Sequence, residues 1–248
     1  MQFENRKILI TGGNSGIGQA LAEALQAKGN KVVVTGRKQD SLQSMLDRNP
    51  VMTGYVLDVT DTDALAGFCT QLLADHPDLD AVVLNAGIME AEDYVAGVVS
   101  TDVADRTITT NLIAPIHLAA ALLPHLRSRP DAALLTVSSG LAFVPKAKNP
   151  VYSATKAAIH SWTQSLRHQL RDTSVAVHEI APPLVATDLT PGQSKLDAAL
   201  ALDAFVEEVM GILSLEKVPD EILVQRVYFQ RNAEREGRFD RAFTAING

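Results

Sequence analysis

Short apolar runs alternate with longer stretches of helical periodicity along the chain. The apolar runs are rich in Val, Ile and Leu and nearly continuous, which is typical of parallel strands buried on both faces. The predicted strands are residues 7–11, 31–35, 54–58, 81–85, 132–138, 174–180 and, with a weaker pattern, 221–224. The predicted helices are residues 16–28, 40–48, 61–75, 101–127, 152–171 and 196–214.

This alternation predicts right-handed βαβ crossovers and a three-layer, doubly wound parallel sheet of the Rossmann type, an α/β fold. We expect about seven strands in the order 3-2-1-4-5-6-7. One domain should cover residues 1–248, with a cofactor half to about residue 110, a catalytic half over about 111–225 and a divergent tail over about 226–248. Ligands bind such sheets beyond the carboxyl ends of the strands, so residues after strands 1, 2, 4, 5 and 6 should line one crevice.

Composition narrows the class of protein. The 248 residues carry a net charge of −7, which argues against a basic nucleic-acid-binding surface. The single cysteine, Cys69, excludes a disulfide framework, and the six histidines lack zinc-ligand spacing, so we expect no metal. The longest apolar stretch, residues 114–126, holds His117 and two prolines and is shorter than a bilayer span. We therefore expect a cytoplasmic protein that binds neither nucleic acid nor membrane.

The first predicted strand runs directly into a glycine-rich turn and then a helix. Glycines here let the backbone approach a pyrophosphate, which the free N–H groups of the helix N-terminus stabilise. The spacing G-x-x-x-G-x-G differs from the usual dinucleotide fingerprint, and a purely structural turn is the alternative. The candidate cofactor residues are Gly12, Asn14, Ser15, Gly16, Ile17 and Gly18.

The end of the second predicted strand bears on cofactor choice. An NAD-preferring site has Asp or Glu near this point to bind the ribose 2′-hydroxyl, whereas this chain has Gly36 followed by Arg37 and Lys38. Because a guanidinium pairs well with a 2′-phosphate, we predict NADP(H) over NAD(H), with Arg37 as the main discriminator. The alternative is that both cations are ordinary solvated loop residues.

Two further strand ends supply candidate cofactor contacts of low specificity. After strand 3, Asp58 is placed to accept a hydrogen bond from the adenine amino group and Val59 to pack on the ring. After strand 4, the small residues Asn85, Ala86 and Gly87 leave room for a ribose.

The chemistry is expected at the end of strand 5 and the start of the next helix. Ser139 follows strand 5, and thirteen residues later Tyr152 and Lys156 lie at i and i+4, on one helical face. The lysine charge should lower the tyrosine pKa from about 10 towards neutral, and such a phenol exchanges a proton with a carbonyl or alcohol oxygen. The Ser139 hydroxyl can hold that oxygen. A Tyr-x-x-x-Lys pair alone is a very weak signal.

Together these motifs resemble the short-chain dehydrogenase/reductase family, in its compact single-domain branch, over roughly residues 7–190. The resemblance implies that Tyr152 is the general acid/base, that Lys156 tunes it, and that both contact the nicotinamide ribose. It implies that Ser139 polarises the substrate carbonyl. The segment from Pro182 would meet the nicotinamide carboxamide through Val185 and Thr187.

By the same resemblance, Asn111 supports a water-linked proton relay. Asn111 lies in a long predicted helix with Pro115 four residues later, and because proline has no N–H, the Asn111 carbonyl loses its usual helical partner. A freed carbonyl is suited to bind a water. A proline kink that only shapes packing is the alternative.

The chain departs from the family pattern in two places. Pro183 stands where the family usually has glycine, and residues 226–248 lack the hydrophobic Asp-Gly-Gly-like ending that many relatives use in tetramer assembly. We therefore expect a homodimer through helices 101–127 and 152–171, with a tetramer as the alternative. The mainly apolar substrate pocket is expected to be lined by Met89, Leu141, Phe143, Leu184 and Leu189.

These features predict an NADP(H)-dependent oxidoreductase that moves hydride between nicotinamide and a small-molecule carbonyl or secondary alcohol. A non-catalytic NADP(H) sensor is the alternative, although a sensor has no need to keep Ser139, Tyr152 and Lys156 together. Nucleotide-sugar epimerase or dehydratase chemistry fits poorly, because its additional substrate domain needs more chain.

Overall fold

A computed structural model describes residues 3–95 and 100–248. The strands are β1 (Lys7–Ile10), β2 (Lys31–Gly36), β3 (Thr53–Val56), β4 (Ala81–Leu84), β5 (Ala132–Val137), β6 (Val175–Ile180) and β7 (Glu221–Ile222). They form one sheet in the order β3-β2-β1-β4-β5-β6-β7, in which every neighbouring pair is parallel. The fold class and strand order expected from the sequence pattern are confirmed.

The helices are α1 (Gly16–Ala27), α2 (Gln39–Arg48), α3 (Thr62–Asp75), α4 (Asp102–Ile108), α5 (Ala114–Ser128), α6 (Pro150–Leu170), α7 (Leu202–Leu213), α8 (Tyr228–Arg231) and α9 (Phe239–Asn247). One face of the sheet packs against α1, α2 and α7, with Ile8 and Ile10 pointing into that cluster. The other face packs against α3, α5 and α6, with Leu9 pointing there. Because both faces are covered, the strands appear in the sequence as continuous apolar runs.

The helix predicted over residues 101–127 consists of three segments. Between α4 and α5 lies a π-helical turn, Thr109–Ile113, and the Ala114 N–H donates to the Thr109 carbonyl five residues back. Pro115, which has no N–H, follows in the first turn of α5. The expected irregularity at Asn111 is therefore present, as a widened helical turn.

The segment Asp102–Ser128 is long and apolar enough to cross a membrane by length and composition alone. It is longer than the apolar run 114–126 that the sequence pattern singles out. Leu118, Leu122 and Leu126 are buried in the cluster shared with β4 and β5, which is how a core helix of a layered α/β protein packs.

The C-terminal third departs most from the prediction. Helix α7 starts at Leu202 instead of residue 196, because Leu200 forms a parallel bridge with Val185 that keeps the preceding backbone extended. Strand β7 is confined to two residues. The tail, for which no elements were predicted, forms α8 and α9, and Asn247 of α9 hydrogen-bonds to residues 145 and 147 of the loop before α6.

Candidate active site

The glycine-rich turn between β1 and α1 is tightly packed. Gly12 and Gly16 have φ angles of 64° and 52°, a left-handed conformation that glycine adopts without strain. A Cβ on Gly18 would lie 2.3 Å from the Gly12 carbonyl oxygen, so no side chain fits there. Asn85 Nδ2 donates to the carbonyls of Thr11 at 2.9 Å and Gly12 at 3.2 Å. Asn85 therefore braces the turn, a function that the sequence did not suggest.

The turn leaves the N-terminus of α1 available to an anion. The Ser15 side chain makes no capping hydrogen bond, and the first turn of the helix holds no acidic residue. Its first N–H groups therefore have neither a side-chain cap nor a competing negative charge. A Cβ on Gly16 would meet only Thr187, at 3.7 Å. These residues fit the pyrophosphate of a dinucleotide.

The segment expected to meet the nicotinamide lies beside this turn. Val185 and Thr187 are buried, and Gln193 Nε2 holds them by donating to the Val185 carbonyl at 2.9 Å and to Thr187 Oγ1 at 3.3 Å. The Pro182 carbonyl accepts from the Gly140 N–H at 2.8 Å, which ties the segment to the end of β5. Gln193 belongs to no motif seen in the sequence.

The side chain of Asn14 fills the space beside Gly36, at the end of β2. A Cβ on Gly36 would lie 2.5 Å from Asn14 Cγ, and Asn14 in turn donates to Ser41 Oγ at 2.8 Å. Arg37 and Lys38 follow and are exposed. Gly36 thus stands where an NAD-selecting carboxylate would lie, and a larger side chain there would have to displace the Asn14 amide.

Asp58 and Val59 follow β3 at the same edge of the sheet. Partial burial acts to raise the pKa of Asp58, but hydrogen bonds from the N–H and hydroxyl of Thr60, at 2.9 and 2.7 Å, and the charge of Arg37 outweigh it. The pKa therefore lies below its usual value, and Asp58 is an ionised acceptor near Arg37. Val59 is buried against the α3 and α5 side of the core.

Ser139, Tyr152 and Lys156 lie together at the carboxyl end of β5. The Ser139 side chain lies close enough to the Tyr152 hydroxyl to lower its pKa, and Lys156 Nζ lies 5.6 Å from the centroid of the Tyr152 ring. Lys156 Nζ also donates to the Val137 carbonyl at 2.8 Å. All three side chains are buried. The structure thus joins the serine to the tyrosine–lysine pair.

The ionisation of Tyr152 differs from the expectation. Burial raises the pKa of the phenol to about 12, and the nearby Ser139 side chain offsets only part of that rise. Burial lowers the pKa of Lys156 to about 8, with Glu179 acting in the opposite direction. The expected fall of the Tyr152 pKa is wrong for the protein alone, because the loss of hydration on burial is the largest effect on the phenol. At neutral pH a protonated phenol lies beside a largely charged ammonium.

Asn111, in the π-helical turn, is fixed by its side chain. Its Oδ1 accepts from the Ile88 N–H and its Nδ2 donates to the Ile88 carbonyl, both at 2.9 Å, and Nδ2 also lies 3.3 Å from Thr155 Oγ1. A Cβ on Gly87 would lie 3.3 Å from Asn111 Oδ1 and 3.6 Å from Lys156 Nζ. The amide therefore braces the loop after β4, and a relay role would fall to the main-chain carbonyl.

The predicted substrate residues fall into two groups. Phe143 packs edge-on against His160, with ring centroids 4.9 Å apart, and its ring centroid lies 4.8 Å from the Arg231 guanidinium. Phe143 is half-buried and therefore packs between the polar side chains of His160 and Arg231. The other predicted substrate residues are, like Phe143, at least partly exposed; they are Met89, Leu141, Leu184 and Leu189. The cofactor candidates Ile17 and Ala86 are also partly exposed.

Sequence reasoning missed a buried polar cluster beside Lys156. Glu179 on β6 is 0% exposed, accepts from the Ser138 hydroxyl, and lies 2.8 Å from His160 Nδ1. The available signal was a glutamate inside the apolar run of β6. Although this region is rich in carboxylates, the described ranges hold no group of three or more His, Cys, Asp or Glu side chains that could bind a metal ion.

A dinucleotide-type glycine turn beside a serine, a tyrosine and a lysine places this protein among oxidoreductases with a nicotinamide cofactor. The sequence model of the short chain dehydrogenases matches residues 6–197, and the chain belongs to that family. It is 39% identical over 251 residues to an uncharacterized oxidoreductase of Bacillus subtilis, DltE, covering all of this chain and 98% of that protein.

Solved structures share the fold. A short chain dehydrogenase from Burkholderia cenocepacia in complex with NADP superposes with a TM-score of 0.82 at 23% identity, over 98% of this chain and 99% of that one. A short chain dehydrogenase/reductase from Burkholderia phymatum in complex with NAD has a TM-score of 0.82 at 18% identity, over 97% and 96% of the two chains.

Proposed function

We propose that the protein is an NADP(H)-dependent oxidoreductase that transfers hydride between nicotinamide and the carbonyl or secondary alcohol carbon of a small, largely apolar substrate. The observation that carries the proposal is the junction of Ser139, Tyr152 and Lys156 at the same sheet edge as the uncapped N-terminus of α1. A bound nicotinamide would supply or accept the hydride, while the chain supplies orientation and proton transfer.

Tyr152 is the general acid when a carbonyl is reduced. Its pKa of about 12 keeps the proton on the phenol at neutral pH, ready for the oxygen that becomes alkoxide-like as hydride adds to the carbon. Oxidation of an alcohol would require the phenolate, which burial makes costly. The protonated phenol is the form that carbonyl reduction requires, and reduction is the direction we propose.

In that proton transfer, Ser139 stabilises the substrate oxygen that receives the proton, and Lys156 stabilises the Tyr152 phenolate that has lost it. A carbonyl oxygen placed between Ser139 and Tyr152 receives two hydroxyl donors, which stabilise the negative charge it develops. Below its pKa of about 8, Lys156 is charged and stabilises the phenolate that remains after the proton leaves. The Asn111 carbonyl, in the widened turn, is the candidate start of a water-linked route for reprotonation.

NADP(H) is the preferred cofactor in this proposal. Position 36 is a glycine and so lacks the carboxylate that binds a free 2′-hydroxyl, and Arg37 and Lys38 present two exposed cations at the same edge. Solved relatives include complexes with NADP and with NAD, so the fold alone does not decide the preference.

We further propose a cytoplasmic homodimer that pairs α5 and α6 with their symmetry mates. Ala120 and Ala121 of α5 and Ala154 and Ala157 of α6 are exposed, and such small side chains let helices approach closely. A mass of two chains by light scattering supports this assembly, whereas a monomer or a tetramer contradicts it. The single, buried Cys69 suits a reducing compartment.

The catalytic proposal is tested with a panel of aldehydes, ketones and secondary alcohols, followed by the absorbance of NADPH. We expect turnover of at least one carbonyl class, with a higher kcat/KM for NADPH than for NADH. Tight NADPH binding with no turnover across the panel would favour the sensor instead. Absence of both binding and turnover would contradict the proposal.

A further inference from the structure

Glu179 is a carboxylate in the core of the sheet. It is fully buried on β6, and a buried charge costs several kcal/mol unless partners compensate for the lost water. Partners are present on two sides: the Ser138 hydroxyl, directly after β5, donates to Oε1, and His160 Nδ1 on α6 lies 2.8 Å from Oε2. Each oxygen of the Glu179 carboxylate therefore has a hydrogen-bond partner in the core.

This carboxylate is connected to the catalytic helix face. Tyr152, Lys156, His160 and Gln164 follow one another at i and i+4 along α6, so their side chains form one stripe. His160 contacts Glu179 through Nδ1 and the exposed Gln164 amide through Nε2, at 3.0 Å. A line of polar contacts thus runs from the surface of α6 to Glu179. Lys156 Nζ donates to the Val137 carbonyl, and the hydroxyl of the next residue, Ser138, donates to Glu179, so adjacent residues at the end of β5 bind the ammonium and the carboxylate.

We propose that Glu179 is a positioning residue for the reaction: its buried carboxylate keeps Lys156 in the ammonium form and fixes Ser138, the neighbour of Ser139. The kinetic part of this inference rests on the proposed function, whereas the ionic coupling between Glu179 and Lys156 does not.

The neighbouring charged residues Glu221 and Arg231 pair with each other. Glu221 lies opposite Glu179 in the β6–β7 register and forms two hydrogen bonds with Arg231, at 2.6 and 2.9 Å. The charge of Glu179 acts to raise the pKa of Lys156, against the effect of burial. It also acts to raise the pKa of Arg231. The titratable and charged groups around the pair are Tyr152, His160 and Arg167 on α6, Asp220 and Glu221 at β7, and Arg231 on α8.

The coupling is tested by titrating Lys156 directly. In protein with carbon-13-labelled lysines, the Lys156 Cε signal is assigned by its loss in Lys156→Arg, and its chemical shift is followed against pH by NMR. We expect Glu179→Gln, which is isosteric but neutral, to lower the titration midpoint by about one pH unit or more. The matched control is Glu221→Gln, one strand away at the same register, which should leave the midpoint near the wild-type value. An unchanged midpoint in Glu179→Gln overturns the proposal.

A second variant covers the case in which Glu179→Gln does not fold. Glu179→Asp keeps the charge but withdraws it by one methylene, so a midpoint below wild type supports the coupling and an unchanged midpoint contradicts it. The titration needs neither cofactor nor substrate, so it remains informative if the carbonyl panel shows no turnover.

Where turnover is present, a kinetic measurement separates positioning from a merely structural role. Glu179→Gln should lower kcat more than it raises KM for the carbonyl, and should move the alkaline loss of activity to lower pH. Glu179→Asp should restore part of both. A lower Lys156 midpoint with an unchanged pH profile of activity would overturn the positioning role.

Discussion

The two parts of the site are shaped by different forces. In the glycine turn, backbone and side-chain atoms already occupy the space where a Cβ on Gly13, Gly18 or Gly36 would lie. Around Tyr152 and Lys156, buried polar groups such as Glu179 must instead find partners that replace lost hydration. The turn should therefore be sensitive to gaining atoms, and the catalytic region to losing a hydrogen-bonding or charged group.

The largest effect is expected from Tyr152→Phe, which removes only the phenolic oxygen. Loss of a general acid costs about 10²- to 10⁴-fold in rate, so carbonyl reduction should nearly vanish. The affinity for NADPH and the free energy of unfolding should change little, as measured by fluorescence titration and denaturant unfolding. Activity within tenfold of wild type would remove Tyr152 from its assigned role.

Next comes Gly18→Ala, which tests the turn by adding one methyl group. That group would lie 2.3 Å from the Gly12 carbonyl oxygen and 2.4 Å from Asn85 Nδ2. Overpacking of this kind costs about 1–3 kcal/mol in the free energy of unfolding, and NADPH affinity should fall with it. The matched control is Gly67→Ala on α3, where no atom lies within 4 Å and the change should stabilise by about 0.5–1 kcal/mol. Equal effects in the two variants would contradict the description of the turn.

Arg37→Ala should have a smaller, cofactor-specific effect. Loss of a charged hydrogen bond to the 2′-phosphate costs about 1.5–3 kcal/mol, at least tenfold in NADPH affinity, while NADH affinity should be unchanged. Arg48→Ala, an exposed arginine in the last turn of α2, serves as the control. A parallel loss for both cofactors would instead mean that Arg37 supports the loop.

The smallest effect is a gradual loss of activity with pH. Lys156 is charged below its pKa of about 8, so kcat/KM for NADPH, which reports ionisations of the free protein, should be about half its plateau near pH 8. Tyr152, with its pKa of about 12, stays protonated over this range. A flat profile to pH 9 would show that the ammonium is not required.

The free energy of unfolding should rise as Lys156 loses its proton, whereas the activity should fall. The pKa of Lys156 is lower in the folded protein than its ordinary value of 10.5, so the unfolded chain binds more protons between about pH 8 and 10.5. Burial of the charged lysine thus costs stability below about pH 8, and that cost is relieved as the pH rises. Comparing the unfolding free energies of wild type and Lys156→Met across this range isolates the contribution.

Local motifs were predictable from sequence, and long-range partners were not. The glycine turn lies between one strand and the helix that follows it, and Tyr152 and Lys156 lie on a single helix. In both cases the local periodicity of the sequence is enough to predict the geometry. The partners of Glu179 lie 41 and 19 residues away, at Ser138 and His160. Strands buried on both faces lack the alternation of polar and apolar residues that reveals which side chains face which helix. The contacts of Glu179 could therefore be identified only from the structure, which shows how the strands pair.

The direction of the Tyr152 pKa shift could also not be predicted from the sequence. Spacing reveals that a lysine lies one helical turn from Tyr152, but it contains no measure of how much water each group loses on folding. Burial shifts both pKa values, upward for the phenol and downward for the ammonium, and so reverses the expected direction for Tyr152.

The last helix has a practical consequence for anyone who trims the chain. Asn247 fastens α9 to the Pro145 carbonyl at 3.1 Å, and Ala242 shares a small apolar core with Val144 and Ala233. Removing residues 239–247 would spare every proposed catalytic side chain yet unfasten the loop that leads into α6. If the shortened protein were inactive, the cause would be lost support for the loop before α6. The result would not test the roles of the tyrosine and the lysine.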